Sequence, residues 1–283
     1  MQNKINHRLR VLPVSLISVI TMLACSLSQT VGPAASTPAA SSQGGLVSYK
    51  NVSFTLASEL ATNSLVGTVP ALTAEQNWSP WDIAPEHTRI VLDNYTQCCS
   101  VHTAQVLVYP AREYAAVSAT SAGENIRRLQ AISSSTAPLT AEEMPSIPFF
   151  NAGQVIAAQM KTIPFRNGSG VRLVTQYDNG ITPITNKGLF YHFQGLTSDG
   201  KYYIIAILPI SIKSLPPDDT QYTIDTPTVK DFPGYYKPNA SGDDFKAYFQ
   251  AVTDSLNGAS PDSFQPTIAQ LDALVESISV SSQ

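Results

Sequence analysis

The sequence predicts an α+β fold, in which an antiparallel β-meander sheet is packed by helices. Several short segments alternate apolar and polar residues as strands do, and tight-turn residues join neighbouring segments into hairpins. Longer segments repeat apolar residues at helical spacing, and they are grouped before and after the meander. This grouping indicates helices that cover a face of the sheet.

The strand predictions rest on alternation of apolar residues and on turn residues. An early strand is predicted at 51–57, where Val52, Phe54 and Leu56 alternate with polar residues. Three hairpins follow, at 89–95 with 103–110, at 154–165 with 170–178, and at 188–196 with 201–210. The last is joined by TSDG, in which Asp199-Gly200 suits a tight turn with positive φ.

Three helices are predicted from apolar residues spaced three and four apart. The first covers 111–133, although Gly123 weakens its middle. The second covers 243–258, with Asp243 as a natural N-cap and Gly258 as the stop. The third covers 266–280 and has Pro266 in its first turn.

The N-terminus has the pattern of an export signal. Lys4, Arg8 and Arg10 precede an apolar run at 11–24, which is shorter than the roughly 20 apolar residues of a membrane span. Met22-Leu23-Ala24-Cys25 resembles the lipobox of bacterial lipoproteins. The resemblance implies that residues 1–24 are removed and that Cys25 is acylated, which predicts a membrane tether, since two or more acyl chains anchor stably.

Composition divides the remaining chain into a linker and one domain. Residues 26–45 are rich in Ser, Ala, Pro and Gly, so we expect the lipidated cysteine and a flexible linker at 25–48 and a single globular α+β domain at 49–283. Without Lys4, Arg8 and Arg10 the chain keeps 14 basic and 21 acidic residues, a net charge of −7. This charge argues against nucleic-acid binding and against electrostatic adhesion to anionic lipid.

The order of elements resembles a known family. An early VSFTLA strand, a helix after LVYP, a meander containing LTSDGKYYIIAIL and a final helix running into LVESISV are similar to the PsbP/Mog1-like α/β/α sandwich. The resemblance covers roughly 49–280, apart from the Pro- and Tyr-rich segment 211–242. It implies a fold and no mechanism, because a fold alone does not assign a function.

Two clusters could carry chemistry. Cys98 and Cys99 could form a strained disulfide that locks a turn, remain unpaired thiols, or do redox work. The segment WDIAPEHTR brings Asp82, Glu86 and His87 close in sequence, which suits a metal site, an acid–base site or an ordinary polar loop.

The other chemical signals are weaker. Gly168-Ser169-Gly170 lacks the strand–nucleophile–helix context of a hydrolase, and we expect His102 and His192 to have packing or hydrogen-bonding roles. Phosphate-loop and dinucleotide motifs are absent from the sequence, and we expect no cofactor and no metal.

Aromatic residues in predicted loops are the remaining candidates for ligand or partner contact, because Trp and Tyr combine an apolar body with a polar tip. They are Trp78, Trp81, Tyr222, Tyr235 and Tyr236.

We therefore expect a lipid-anchored extracytoplasmic protein, at the cell surface or in the periplasm, with a non-catalytic binding or accessory domain. Its partner could be a protein, a carbohydrate or a small molecule. The alternative is an exported enzyme or redox protein that uses Cys98-Cys99 or the Asp82/Glu86/His87 region.

Overall fold

The structure is a computed structural model, and it describes residues 45–76, 79–97, 99–117, 119–219 and 232–281. The predicted signal peptide and Cys25 lie outside these residues. The first strand begins at Gly45, so an ordered element starts before residue 49, where the sequence places the start of the domain.

The described strands and helices follow one another along the chain with short connections. The strands are β1 Gly45–Tyr49, β2 Val52–Leu56, β3 Ala61–Val69, β4 His87–Tyr95, β5 Gln105–Pro110, β6 Gly153–Gln154, β7 Ala158–Phe165, β8 Gly168–Thr175, β9 Tyr177–Asp178, β10 Phe190–Thr197, β11 Tyr202–Pro209, β12 Ser211–Ile212, β13 Phe264–Gln265 and β14 Ser279–Val280. The helices are α1 Ala111–Ala115, α2 Ala122–Ser133, α3 Pro233–Tyr236, α4 Gly242–Gly258 and α5 Ile268–Glu276.

The main sheet has seven strands in the order β3-β4-β5-β11-β10-β8-β7, and every neighbouring pair is antiparallel. The predicted α+β class with an antiparallel sheet is therefore confirmed. The sheet is not one continuous meander, however. Two meanders, β3-β4-β5 and β7-β8-β10-β11, meet where β5 pairs with β11, and the chain between them contributes α1 and α2.

The three predicted hairpins are present as β4–β5, β7–β8 and β10–β11. Gly200 has φ +69 in the last of these turns, as its Asp-Gly sequence predicts. Strand β3 was not predicted. Its sequence does not show the alternation of buried apolar and exposed polar residues that marks a strand, because Ser64 is buried and Leu65 is 39 % exposed.

The single helix predicted over 111–133 is wrong, because the structure breaks it between Ala115 and Ala122 into α1 and α2. In the break, the Thr120 hydroxyl donates to the Val117 carbonyl at 3.2 Å, a local bond that competes with helix formation. A Cβ at Gly123 would lie 2.9 Å from the Ala115 carbonyl oxygen, so the glycine permits the two helices to pack closely.

Two predicted helix starts are also corrected. Helix α4 is capped by Ser241 rather than Asp243, since the Ser241 hydroxyl accepts from the Asp244 N–H and the Asp244 carboxylate accepts from the Ser241 N–H. The N-cap of α5 is Thr267, which places Pro266 outside the first turn. Helix α4 ends at Gly258, as predicted.

Helices pack on both faces of the seven-stranded sheet. One face packs against α1 and α2, with Tyr109, Tyr203 and Phe190 among its buried side chains. The opposite face packs against α4, α5 and a small three-stranded sheet, β1-β2-β14, over an aliphatic core that includes Val106, Ile204 and Leu271.

A buried cation connects this second helix layer to the sheet. Arg172 of β8 has a side chain that is 7 % exposed, and its Nε lies 3.3 Å from Oδ1 of Asp272 in α5. The Tyr191 hydroxyl of β10 donates to the same carboxylate oxygen at 2.8 Å. The Arg172 guanidinium also donates to the Gln159 carbonyl in β7. Three strands and one helix therefore meet at one ion pair.

Gln159 extends this connection to α4. It forms a β-bulge with φ +55, and its side-chain amide donates to the Leu256 and Ala259 carbonyls at 2.8 and 3.1 Å. Its backbone N–H donates to Asn257 Oδ1 at 2.6 Å. The bulge thus caps the carboxyl end of α4 while it directs its own carbonyl to Arg172.

We expect Asp272→Ala to lower the free energy of unfolding by about 3 to 5 kcal/mol, because it leaves the Arg172 charge buried without a counterion. Urea unfolding measures this. Asp262→Ala removes an exposed carboxylate near the same helix and should change the free energy by no more than about 0.5 kcal/mol. Equal effects of the two substitutions would contradict the role assigned to the ion pair.

Candidate functional site

The structure separates the aromatic residues that the sequence proposed as contact residues. Trp78 and Tyr222 lie outside the described residues. Trp81 is half-buried in a short 3₁₀ turn, Pro80–Asp82, between β3 and β4. Tyr235 and Tyr236 both lie in α3, where the Tyr235 side chain is 51 % exposed and the Tyr236 side chain is not described.

Tyr235 belongs to an aromatic cluster that joins α3 to α4. Its ring centroid lies 5.3 Å from that of Phe232, and the Phe232 ring lies 5.5 Å from Phe245 and 5.2 Å from Tyr248. Phe249 continues the cluster along α4, 5.3 Å from Tyr248. Tyr248 is buried, whereas Phe245 and Phe249 are only half-buried. The apolar stripe of α4 therefore extends beyond the part that the sheet covers.

The uncovered part of that stripe forms one wall of a groove of about 440 Å³. The chain between β6 and β7 and a loop after β9 form the other walls. The lining residues are Ala141, Val155, Ile156, Ala157, Ile181, Gly242, Phe245, Lys246, Phe249, Gln250 and Thr253. We call this feature the α4 groove. Its volume lies within the range of ligand pockets, about 300 to 1,000 Å³.

A turn after β9 holds an apolar side chain at the edge of the α4 groove. The Asp178 carboxylate accepts hydrogen bonds from the backbone N–H groups of Asn179 and Gly180 and from the Thr182 hydroxyl, at 2.7, 3.2 and 2.5 Å. Ile181 at the tip is 60 % exposed. Further along, the Ile184 N–H donates to the Tyr248 hydroxyl at 3.0 Å, which fixes the loop to α4.

The chemistry of the α4 groove favours binding of an apolar or aromatic group. Lys246 is the charged residue among those that line it, and Gln250 and Thr253 supply hydrogen-bonding groups on the same side of α4. An apolar surface with a few polar groups at its edge is typical of ligand and partner sites.

The cysteine pair and the acidic loop can be placed only in part. Cys99 is exposed with φ +69, and Cys98 lies outside the described residues, so a disulfide, unpaired thiols and redox work all stay open for this pair. Glu86 forms an ion pair with Lys50 at 3.5 Å. His87 stacks on Tyr109 at 4.3 Å, and its Nδ1 lies 2.9 Å from the Pro85 carbonyl. Asp82 is exposed. Glu86 and His87 thus contact different groups.

His192 lies in a buried polar network on the face of the sheet that α1 and α2 cover. Gln194 donates its amide to His192 Nε2 at 2.9 Å and to the Ser146 carbonyl at 2.9 Å, and Tyr203 donates to Gln194. The Asn125 amide donates to the same Ser146 carbonyl at 2.6 Å. Sequence reasoning expected a packing or hydrogen-bonding role for His192, and these contacts supply both.

Burial lowers the pKa values of the three described histidines. His192 is fully buried, Nδ1 has no hydrogen-bond partner among the described residues, and desolvation lowers its pKa to about 3. Desolvation also lowers the pKa of His87 and of His102, whose ring packs against Phe150 and Phe190. All three are therefore neutral at pH 7.

Comparisons with family models, curated proteins and solved structures find no match for this chain. Within the described ranges, no group of three or more His, Cys, Asp or Glu side chains is placed to hold a metal ion. Among the helices described here, none has the length and apolar character needed to cross a membrane. Among the grooves of the described residues, we select the α4 groove as the candidate site because two half-buried phenylalanines and the exposed Ile181 line it.

Sequence reasoning missed Ile181, Phe245 and Phe249 as site residues. The two phenylalanines contribute to the apolar spacing that predicts the helix at 243–258, and only the packed structure shows that they extend past the sheet. A signal existed for Ile181, because the sequence Asp178-Asn179-Gly180 before it is typical of a tight turn.

We expect acid to destabilise the protein through His192. The unfolded chain binds a proton near pH 6.5 and the folded chain only near pH 3, so stability is complete above pH 6.5 and is lost as the pH falls through that window. For one histidine the slope is about 1.4 kcal/mol per pH unit. Urea unfolding between pH 7 and pH 4.5 should show a shallower slope for His192→Gln than for wild type.

His87→Gln is the matched control for that measurement. Its ring is only partly buried and its Nδ1 keeps a backbone partner, so the slope should change less. An unchanged slope in His192→Gln would show that the buried ring does not govern the acid response.

Proposed function

We propose that this protein is a lipid-tethered extracytoplasmic accessory protein whose folded domain binds a ligand or partner in the α4 groove. The observation that carries the proposal is the groove itself, where Ile181, Phe245 and Phe249 remain open to solvent beside α4. Apolar surface left uncovered at a concave site is typical of interaction sites. The occupant is an apolar or aromatic group of a small molecule or of a partner protein.

The tether in this proposal rests on the sequence around Cys25. A basic N-terminus, a short apolar run and the Met22-Leu23-Ala24-Cys25 motif support removal of the signal and acylation of the thiol. The linker ends where β1 begins, at Gly45. A flexible chain of about 20 residues has a mean end-to-end distance of roughly 25 Å. The domain would therefore sit close to the membrane surface with freedom to turn.

We further propose that the domain is of the PsbP/Mog1-like α/β/α type. The antiparallel sheet with α1 and α2 on one face and α4 and α5 on the other supports this placement. In such a domain the helices and loops at the layer edges are free to vary. The α4 groove lies at such an edge, where one helix extends past the sheet.

We expect Cys25→Ser to move the protein from the detergent phase to the aqueous phase in a detergent-partition experiment, because it removes the only atom in the motif that can carry a thioether-linked lipid. Lys50→Ala, which lies in the turn after β1, should leave the partition unchanged. Detergent partitioning of Cys25→Ser equal to that of wild type would refute the lipid tether and leave the groove proposal standing.

We expect Ile181→Asp to weaken binding of an apolar fluorescent probe, 1-anilinonaphthalene-8-sulfonate, by about tenfold, since a carboxylate at the edge of the groove repels the sulfonate and removes apolar contact. Fluorescence titration of folded protein measures this. Leu46→Asp is the matched control, because Leu46 is 68 % exposed in β1 and does not line the groove. Equal losses in both variants would mean that the probe does not report on the α4 groove.

A further inference from the structure

The two edges of the seven-stranded sheet are protected very differently. The edge strand β7 has a bulge at Gln159, a charge at Lys161 and a proline at Pro164, and both α4 and α5 pack against it. Bulges, edge lysines and prolines are the devices by which proteins prevent strands of other chains from pairing with a sheet. At this edge, all three occur within eight residues.

The opposite edge strand, β3, has none of these devices. Its nine residues, ATNSLVGTV, contain no charge and no proline, and its pairing with β4 keeps one register from Ala61 to Val69. It ends the strand order of the sheet, and no described strand pairs with its outer side. Its residues Ala61, Ser64 and Val66 are buried on the core face, where β1 contacts it, and the Tyr49 and Thr68 hydroxyls lie 3.0 Å apart near its carboxyl end. A long, uncharged, regular edge is a template for a further strand.

The middle residue of β3 is also apolar and open to solvent. Leu65 is 39 % exposed and lies opposite Val91 of β4, which is half-buried. On this face of the sheet, the neighbouring positions are Asn63 opposite Asp93 and Gly67 opposite Arg89. The alternate residues Ser64 and Val66 are buried on the other face.

We propose that β3 pairs antiparallel with β3 of a second copy of this chain, about a two-fold axis at Leu65. Around such an axis, each residue before Leu65 lies opposite the partner residue that is equally far after Leu65. Leu65 itself faces the partner's Leu65. Across the axis, one row of side chains then runs from Val91 and Leu65 to the partner's Leu65 and the partner's Val91. Four apolar side chains become mutual neighbours, and the two half-exposed leucines are covered.

The same register places charges of opposite sign at the two ends of one row, about 14 Å apart between Cα atoms. Asn63 faces the partner's Gly67. This row therefore runs from Asp93 through Asn63 and the partner's Gly67 to the partner's Arg89. Because the partner's Gly67 has no side chain, the partner's Arg89 has room to extend toward Asn63 and Asp93. The two-fold axis repeats this arrangement, and no like charges meet in these rows. Charge complementarity and the absence of edge protection thus select a second copy of the chain as the occupant.

Cysteine cross-linking of the full-length protein tests the pairing. Leu65→Cys places a thiol directly opposite its copy, at a Cα separation of about 4.5 to 5.5 Å that a disulfide can bridge. Mild oxidation should give a covalent dimer on a non-reducing gel, at about tenfold the yield of the control. Thr62→Cys is the matched control, because it lies on the same strand and is exposed, yet the pairing puts it about 20 Å from its copy.

Wild type oxidised in parallel reports the background from the native cysteines. Leu65→Lys provides a second measurement, since two like charges would face each other at the axis. Sedimentation equilibrium in detergent should show dimers for wild type and a dissociation constant raised at least about tenfold for Leu65→Lys. Equal cross-linking at positions 62 and 65, or a wild-type monomer at every concentration, would overturn the proposal. Because neither readout involves the α4 groove, the proposed function is unaffected by that result.

Discussion

A buried cation sets the position of one whole helix layer. Arg172 lies inside the structure, where an unpaired charge would be severely destabilising, so its partners must be in place whenever the domain is folded. Asp272 brings α5 to the guanidinium, and the bulge at Gln159 brings the carboxyl end of α4. Apolar burial is non-directional, whereas the contacts of Arg172 have fixed directions. These contacts therefore define where the ends of α4 and α5 lie on the strands beneath them.

The two faces of the sheet stabilise the fold in different ways. The face under α4 and α5 is mainly aliphatic, so most of its stabilisation depends on buried apolar area, and the Arg172–Asp272 ion pair adds a charged contact to it. The face under α1 and α2 buries His192, Gln194 and several tyrosines in a connected network. Such a network constrains the geometry of the layer because its hydrogen bonds are directional. It also makes this layer sensitive to acid, because the neutral buried imidazole of His192 must acquire a proton there.

Both candidate interaction surfaces arise where the layers end. Helix α4 carries an apolar stripe wider than the sheet beneath it, and its outer row, with Phe245 and Phe249, is left beside Ile181. Strand β3 lies at the edge of the sheet, and its middle residue, Leu65, is 39 % exposed. The groove suits an apolar or aromatic group, whereas the edge suits a strand. The two surfaces can therefore be occupied independently, and each can be disrupted without altering the other.

Local patterns in the sequence were sufficient for the α+β class, the three hairpins and most helix positions, because turn residues and apolar periodicity act over a few neighbours. Gly200 and Gly258 illustrate this, since each has the role that its immediate sequence predicts. The division of α1 from α2, the pairing of β5 with β11 and the exposure of Leu65 depend on residues far apart in the chain, and no short pattern encodes them. The candidate site belongs to the second group: Tyr235 was predicted as a contact residue, but the groove required Ile181 and Phe249 to be brought together by packing. The N-terminal motif at Cys25 differs from the candidate site, because its interpretation depends on a few neighbouring residues and rests on the sequence alone.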